Sequence, residues 1–402
     1  MTEVHARPVP QAPPVPRVAF LDVARALAMI GVVMMNVTVI VFAAERAGEL
    51  APSTLTSAVD TGATLLMSGK ARAMLMVLLG VGTVLAWRGA ARRGQRPMVV
   101  MVRRYAVLGL LFGVPHLLVF DGDILTHYAI TAVVLAPMMP VLLSGTRRRP
   151  LAAAVLLFAL APVVELLMPT GGAWILVSLV PQTLAFFCVG VWLARRPELD
   201  PEHPGEPSRL PVRMIWTGLA GQVVGLTVMF ASDLLFPMEV DADGVPVHLG
   251  ADGLPVTHPG SDALVSLGGS LSGIGGALFY LGLVWWLVNR GRAVSRVLGA
   301  LAPLGRMTLT VYLGSTAVFL LAMSPFEGEV TLLGQYAVAV VYFVLTAVGA
   351  HFWMGRFRLG PLEWVWRSLT HLRPMPMRWD AGRVPPDGSS RERGTSVHRA
   401  AP

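Results

Sequence analysis

The sequence predicts an all-α, polytopic integral membrane protein of about ten transmembrane helices with both termini cytoplasmic. Three observations predict it. Of 402 residues, 54% are apolar and only 14% are charged, against about 25% charged in an ordinary soluble domain. The apolar residues gather in runs near the roughly 20 residues that a bilayer-crossing helix needs. The 32 Lys and Arg concentrate between alternate runs, as cytoplasmic loops do. The net charge of +8 therefore reads as anchoring to a lipid bilayer and not as a nucleic-acid surface. Cys188 is the single cysteine, which excludes an intrachain disulfide and a cysteine-based zinc site.

In order, the spans fall at residues 20–43, 71–87, 99–120, 124–143, 151–168, 173–194, 212–236, 266–288, 301–323 and 332–354. The second and fifth are short. Arginines follow the even-numbered spans: Arg88, Arg92, Arg93 and Arg96, then Arg147, Arg148 and Arg149, then Arg195 and Arg196, then Arg290, Arg292 and Arg296. The intervening loops carry acids, such as Glu45 and Glu49, Asp121 and Asp123, and Glu327 and Glu329. That alternation fits an even number of spans. Residues 1–16 are Pro-rich and residues 374–402 are rich in Arg, Pro, Gly and Ser. Both are expected to be disordered tails around one transmembrane domain, 17–373.

Polar residues inside spans are costly and need a reason. Asp22 and Arg25 open the first span three residues apart, on one helix face. Asn36 follows eleven residues after Arg25, which is close to three full turns, so it points the same way. It lies roughly 16 Å deeper. A stripe of this kind lines a bundle interior or cavity; an ion pair anchoring the helix at the interface explains Asp22 and Arg25 equally well. The third span starts at Arg103-Arg104 and ends in Pro115-His116, followed by Asp121-Gly122-Asp123 and then His127. Asp121-Gly122 signals a tight turn, Asp123 suits a helix N-cap, and Asp123 and His127 share a face at i,i+4. Turn chemistry, a His/Asp metal site and a general base oriented by a carboxylate all remain open. The spacing matches no metal motif. In the ninth span Thr308 and Tyr312 are i,i+4 and can line the same interior, although hydroxyls in spans more often bond to their own helix. Trp364 and Trp366 fit an aromatic interface belt.

Five segments carry a family resemblance: LDVARALAMIGVVMMN from Leu21, LLGVG from Leu78, RRYAVLGLLFGVPHLLVFDGDILTHYAI from Arg103, LGRMTLTVYLGST from Leu304 and GPLEWVWRSLT from Gly360. The chain resembles the YeiB-like bacterial membrane proteins, whose C-terminal part, here about 211–373, is classed as domain of unknown function 418. It departs from them at Ala26, Leu79, Val311 and Gly314, and keeps the His and both acids of the third segment. The resemblance implies the bacterial cytoplasmic membrane and a distant kinship with integral-membrane acyltransferases. Those relatives take an acyl group from cytoplasmic acyl-CoA and deliver it to an acceptor across the bilayer. Many have a histidine where this chain has Asn36, so the resemblance moves the base to His116, with Asp121, Asp123 and His127 around it. Acyl-CoA would be a co-substrate rather than a tightly bound cofactor, and the acceptor a small molecule, glycan or lipid. Asp22, Arg25, Asn36, Arg103, Arg104 and Arg306 would hold it, although positive-inside anchoring accounts for most of these arginines as well. A transporter or exporter and a non-catalytic membrane protein are the alternatives.

Overall fold

The computed structural model describes residues 19–46, 48, 50–167, 174–199, 208–239, 247 and 257–379. The expected N-terminal tail, most of the loop before residue 257 and the chain beyond 379 lie outside them. The described residues are helical and form no strand. Their β pairing is one isolated bridge between Phe357 and Arg378. Nine described helices are long and apolar enough to cross a membrane. The fifth expected span is a tenth, shorter apolar helix, Arg149–Val164. In a hydrocarbon environment helices satisfy their backbone internally, which is why apolar runs of this length take this form.

Helix α1 (Ala19–Ile40) stands at the centre, with most of its side chains buried. The connection between the first two expected spans contains α2 (Thr54–Met67), started by Ser53, whose Oγ accepts the Thr56 N–H at 3.1 Å. After a break at Ser68-Gly69, where Gly69 has φ 70°, α3 (Lys70–Arg92) continues the same apolar stretch. Helix α4 (Pro97–Leu117) contains a π-helical turn at Leu108–Gly113. Then come α5 (Leu125–Leu143), α6 (Arg149–Leu167), α7 (Val180–Ala194) and the antiparallel pair α8 (Leu210–Leu235) and α9 (Pro259–Arg290). A short α10 (Arg292–Gly299) leads to α11 (Thr308–Met323) and α12 (Leu332–Arg356). The chain ends in α13 (Pro361–His371), too short to cross a membrane and not anticipated as a helix.

Two ends are distinct. At one, Arg195 donates to the carbonyls of Leu142, Gly145 and Thr146, close enough to Arg88, Arg147 and Arg149 to feel their charge. The arginine loops after the second, fourth and sixth spans therefore meet. At the other end Ala44 N–H donates to Val330 O and Leu332 N–H donates to the Glu45 carboxylate, joining two acidic loops. Residues 374–379, expected in the disordered tail, fold back instead: the indole N–H groups of Trp364 and Trp379 donate to Met375 O and Met354 O.

Close helix approach uses small residues, as membrane helices do. Helices α3 and α7 meet at Gly80 and Gly190, where a Cβ on either would run into a backbone carbonyl of the other helix, Phe187 O and Val77 O respectively. Gly190→Leu is expected to cost about 1–3 kcal/mol or more through overpacking and to lower the unfolding midpoint in detergent. Gly269→Ala, where a Cβ meets nothing within 4 Å, leaves that midpoint unchanged.

Candidate functional site

The site is built around a carboxylate. The α4–α5 connection ends on Asp123, whose Oδ1 accepts the Leu125 N–H at 3.1 Å and whose Oδ2 accepts the Thr126 N–H at 2.7 Å. A negative charge belongs at that helix start, where unspent N–H groups converge. Asp123 Oδ1 also lies 2.7 Å from His116 Nδ1. An ionised carboxylate can only accept, so Nδ1 carries the ring proton and Nε2 is left as an acceptor. Nε2 is 2.9 Å from Thr316 Oγ1 on α11, which can donate to it. His116, Asp123 and Thr316 are all buried.

The π-helical turn aims His116. One extra residue in a turn rotates everything after it by about 100° about the helix axis. Leu110 and Leu111 are thereby exposed on the apolar outside while His116 is buried. Gly109 and Gly113 of the same turn lie against α5, at Ala129 and Thr126, with no room for a Cβ.

The expected cluster of two imidazoles and two carboxylates divides. Asp121 is exposed, with no hydrogen bond to either histidine. His127 shares α5 with Asp123 but turns toward α7: its Nε2 is 2.6 Å from Thr183 Oγ1 and its Nδ1 3.1 Å from Leu176 O. Tyr312 stands beside the pair, its ring centroid 5.0 Å from that of His116 and its hydroxyl accepting the Ile124 N–H at 3.4 Å. Asn36 lies against the Tyr312 hydroxyl, and its amide nitrogen is buried without a hydrogen-bond partner among the described residues. No described group of His, Cys, Asp and Glu has the makings of a metal site.

A cavity of about 580 Å³ connects this region to the arginine-rich end. Its inner end is lined by Ile124, Leu125, Tyr128 and Tyr312, and its middle by apolar side chains such as Leu75, Leu78 and Leu79. Asp22 and Arg25, paired at 2.8 Å, line it as well, and so do Thr308 and Tyr312. The first-span stripe thus divides: Asp22 and Arg25 face the cavity, and Asn36 faces the group behind Tyr312.

The mouth is cationic. Arg92, Arg93, Arg104, Arg306, Arg358 and Arg367 line it. Arg103 does not, and its Nε is buried without a hydrogen-bond partner among the described residues. Arg306 donates to Arg358 O at 3.1 Å. The Arg104 guanidinium stacks 3.9 Å over Trp366, whose indole N–H donates to Arg104 O. Trp366 is therefore a platform for an arginine and not only a belt residue. Burial first, then the charges of Arg93, Arg104, Arg373 and Arg103, hold the His371 imidazole below its usual range. Neutral at pH 7, it lines the mouth with its Nδ1 unpartnered among the described residues.

The sequence did not single out Thr316 or Glu363. Glu363 on α13 is buried and caps α11 from outside: its Oε1 accepts the Leu309 and Thr310 N–H groups at 2.7 and 3.1 Å, and its Oε2 accepts the Thr310 hydroxyl at 2.7 Å. Helix α13 thereby fixes the start of the helix that carries Tyr312 and Thr316.

Residues 247–373 match the family described as "Protein of unknown function (DUF418)". The chain is similar to that family over this C-terminal region. The DUF418 region runs from before α9 to just past α13, so it supplies Tyr312, Thr316, Arg306 and Glu363, while His116, Asp123 and Asn36 come from the part before it. Two relatives extend the likeness beyond that region. An uncharacterized 39.9 kDa protein in the amylase 3′ region of Bacillus acidopullulyticus is 24% identical over 371 residues, covering 90% of this chain and 96% of that protein. The uncharacterized protein YxaH of Bacillus subtilis is 26% identical over 338 residues, covering 75% of this chain and 79% of its own.

Asp123→Ala removes a helix cap worth about 1 kcal/mol. It also leaves the His116 Nδ1–H unpartnered, at about 1–3 kcal/mol. Chemical unfolding in detergent is expected to report both losses, while Asp121→Ala stays within about 0.5 kcal/mol of the parent.

Proposed function

We propose that this protein is an integral-membrane acyltransferase of the bacterial cytoplasmic membrane, moving an acyl group from cytoplasmic acyl-CoA to a small-molecule, glycan or lipid acceptor. The observation that carries the reading is the cavity joining the arginine-lined mouth to the helix start where Asp123 holds His116. The positive-inside rule makes that mouth cytoplasmic. CoA carries several phosphates, for which planar guanidinium groups are suited partners, and a long flexible arm. From Arg104 to His116 is twelve residues, or roughly 18 Å along a helix, a distance that such an arm spans. The apolar middle of the cavity suits the arm, and the imidazole of His116 stands just beyond Tyr312, which lines the far end.

In this reading Asp123 fixes the ring so that Nε2 can take a proton from the attacking acceptor. Asp123 also stabilises the imidazolium that forms. The proton then passes to the departing thiolate. Arg104, braced on Trp366, and Arg306, braced on Arg358 O, bind phosphate. Asp22 keeps Arg25 turned along the cavity wall.

A general base contributes roughly 10²–10⁴-fold. His116→Ala is expected to cut thiol release from acyl-CoA by that factor while expression and elution volume stay unchanged. Arg104→Ala raises KM for acyl-CoA with a smaller effect on kcat, since phosphate contacts are made equally in ground and transition states. Turnover undiminished in His116→Ala rejects the assignment of the base.

One observation favours transport as a second reading. The apolar stretch Thr54–Arg92 breaks at Ser68-Gly69, and Lys70 follows the break, only 5% exposed and with no acid within ion-pair distance among the described residues. Interrupted helices with a charge at the break occur in transporters. Substrate flux into proteoliposomes that is lost in Lys70→Met, with no acyl-CoA turnover, would support transport over acyl transfer.

A further inference from the structure

The threonine hydroxyls of the helices have a common habit, and Thr316 departs from it. Thr83, Thr131, Thr217, Thr227, Thr346 and Thr370 each donate to the carbonyl four residues earlier, at 2.7 to 2.9 Å. That back-bonding is the ordinary fate of a hydroxyl in a spanning helix. Thr316 is 2% exposed, and its hydroxyl bonds instead to His116 Nε2. The carbonyl it would otherwise use, Tyr312 O, is taken by the Ser315 hydroxyl at 2.7 Å. His127 and Thr183 form a second imidazole–hydroxyl pair, but there Nδ1 faces a backbone carbonyl. Only the His116 pair, among the described residues, has a carboxylate behind the ring.

A carboxylate on Nδ1, an imidazole, and a hydroxyl on Nε2 make up the arrangement that activates a hydroxyl as a nucleophile. We propose that Thr316 is a nucleophilic residue that carries the acyl group between donor and acceptor. The proposal rests on the acyltransferase reading and deepens it by splitting the reaction into two half-reactions.

In the first, Thr316 Oγ1 attacks the thioester carbonyl carbon as its proton moves to His116 Nε2. The C–S bond breaks, the thiolate takes that proton, and an acyl-threonine ester and free CoA thiol result. In the second, an acceptor hydroxyl or amine attacks the ester carbonyl as its proton moves to Nε2. The C–O bond to Thr316 breaks, and Oγ1 recovers the proton. Each tetrahedral intermediate needs a donor for its oxyanion. The Asn36 amide nitrogen, which lies against the Tyr312 hydroxyl and has no other partner among the described residues, is the donor for that role once Tyr312 moves. Tyr312 is four residues before Thr316 on the same helix face and lines the inner end of the cavity, so its ring must swing aside for the thioester to pass.

The test uses the purified full-length protein with acetyl-CoA and, separately, palmitoyl-CoA, in the absence of acceptor. The expected result is a burst of about one thiol per protein, the ping-pong signature of a covalent intermediate. After an acid quench, peptide mass spectrometry finds one hydroxylamine-labile acyl group on Thr316. Thr316→Val keeps the shape, loses the label and loses the burst, while Thr316→Ser retains both. Thiol release by Thr316→Val at the parent rate overturns the acyl-threonine and leaves the general-base reading standing. An unlabelled Thr316 in the parent protein during steady thiol release overturns it equally, without relying on a variant that folds. No thiol release by the parent from either acyl-CoA overturns the acyl-CoA reading and this inference with it.

Discussion

The Asp123 carboxylate carries three obligations at once. It ends the α4–α5 connection by capping α5, it fixes the proton of His116 on Nδ1, and through His116 it reaches α11 at Thr316. A buried carboxylate is expensive unless its lone pairs are filled. Here two backbone N–H groups and one imidazole fill them. The cost of burying the charge is met by helix-start donors that needed an acceptor in any case. The consequence is a polar group of fixed geometry, drawn from three helices, inside an otherwise apolar bundle.

A second constraint acts at the opposite end. Arginines that orient the chain in the bilayer also line the cavity mouth, and the two uses are separated by what each side chain touches. Arg195 spends its donors on loop carbonyls and serves the fold. Arg104 rests its flat face on Trp366 and faces the cavity, as does Arg306. Glu363 links this end to the site, since the carboxylate that closes α13 onto α11 also sets where α11 begins.

Much of this was legible in the sequence. Long apolar runs and alternating arginine and acid loops gave the all-α membrane architecture, because bilayer thickness and backbone satisfaction leave few alternatives. The Asp123 cap was readable from its place between a turn and an apolar run. The phase of Asp22 and Arg25 put them toward an interior, where the cavity is found. Other features had no local signal. Whether Asp121 or Asp123 meets His116 depends on the rotation introduced by the π-helical turn, and a constant 3.6-residue period cannot register it. Thr316 is 200 residues from His116 and looks like any hydroxyl in a span. Helix α2 escaped notice because its polar residues break the apolar run, although Ser53 is a recognisable cap.

The acyl-CoA proposal requires that one cavity bring a thioester donor from the arginine-rich end toward His116. It is tested most directly by the structure of the protein bound to a non-hydrolysable thioether analogue of acyl-CoA. Phosphate density is expected against Arg104 and Arg306, the arm along Leu75 and Leu79, and the atom that replaces the thioester sulfur beside His116 and Thr316. An empty cavity at saturating analogue, or the analogue bound with its phosphates away from the arginines, would contradict it.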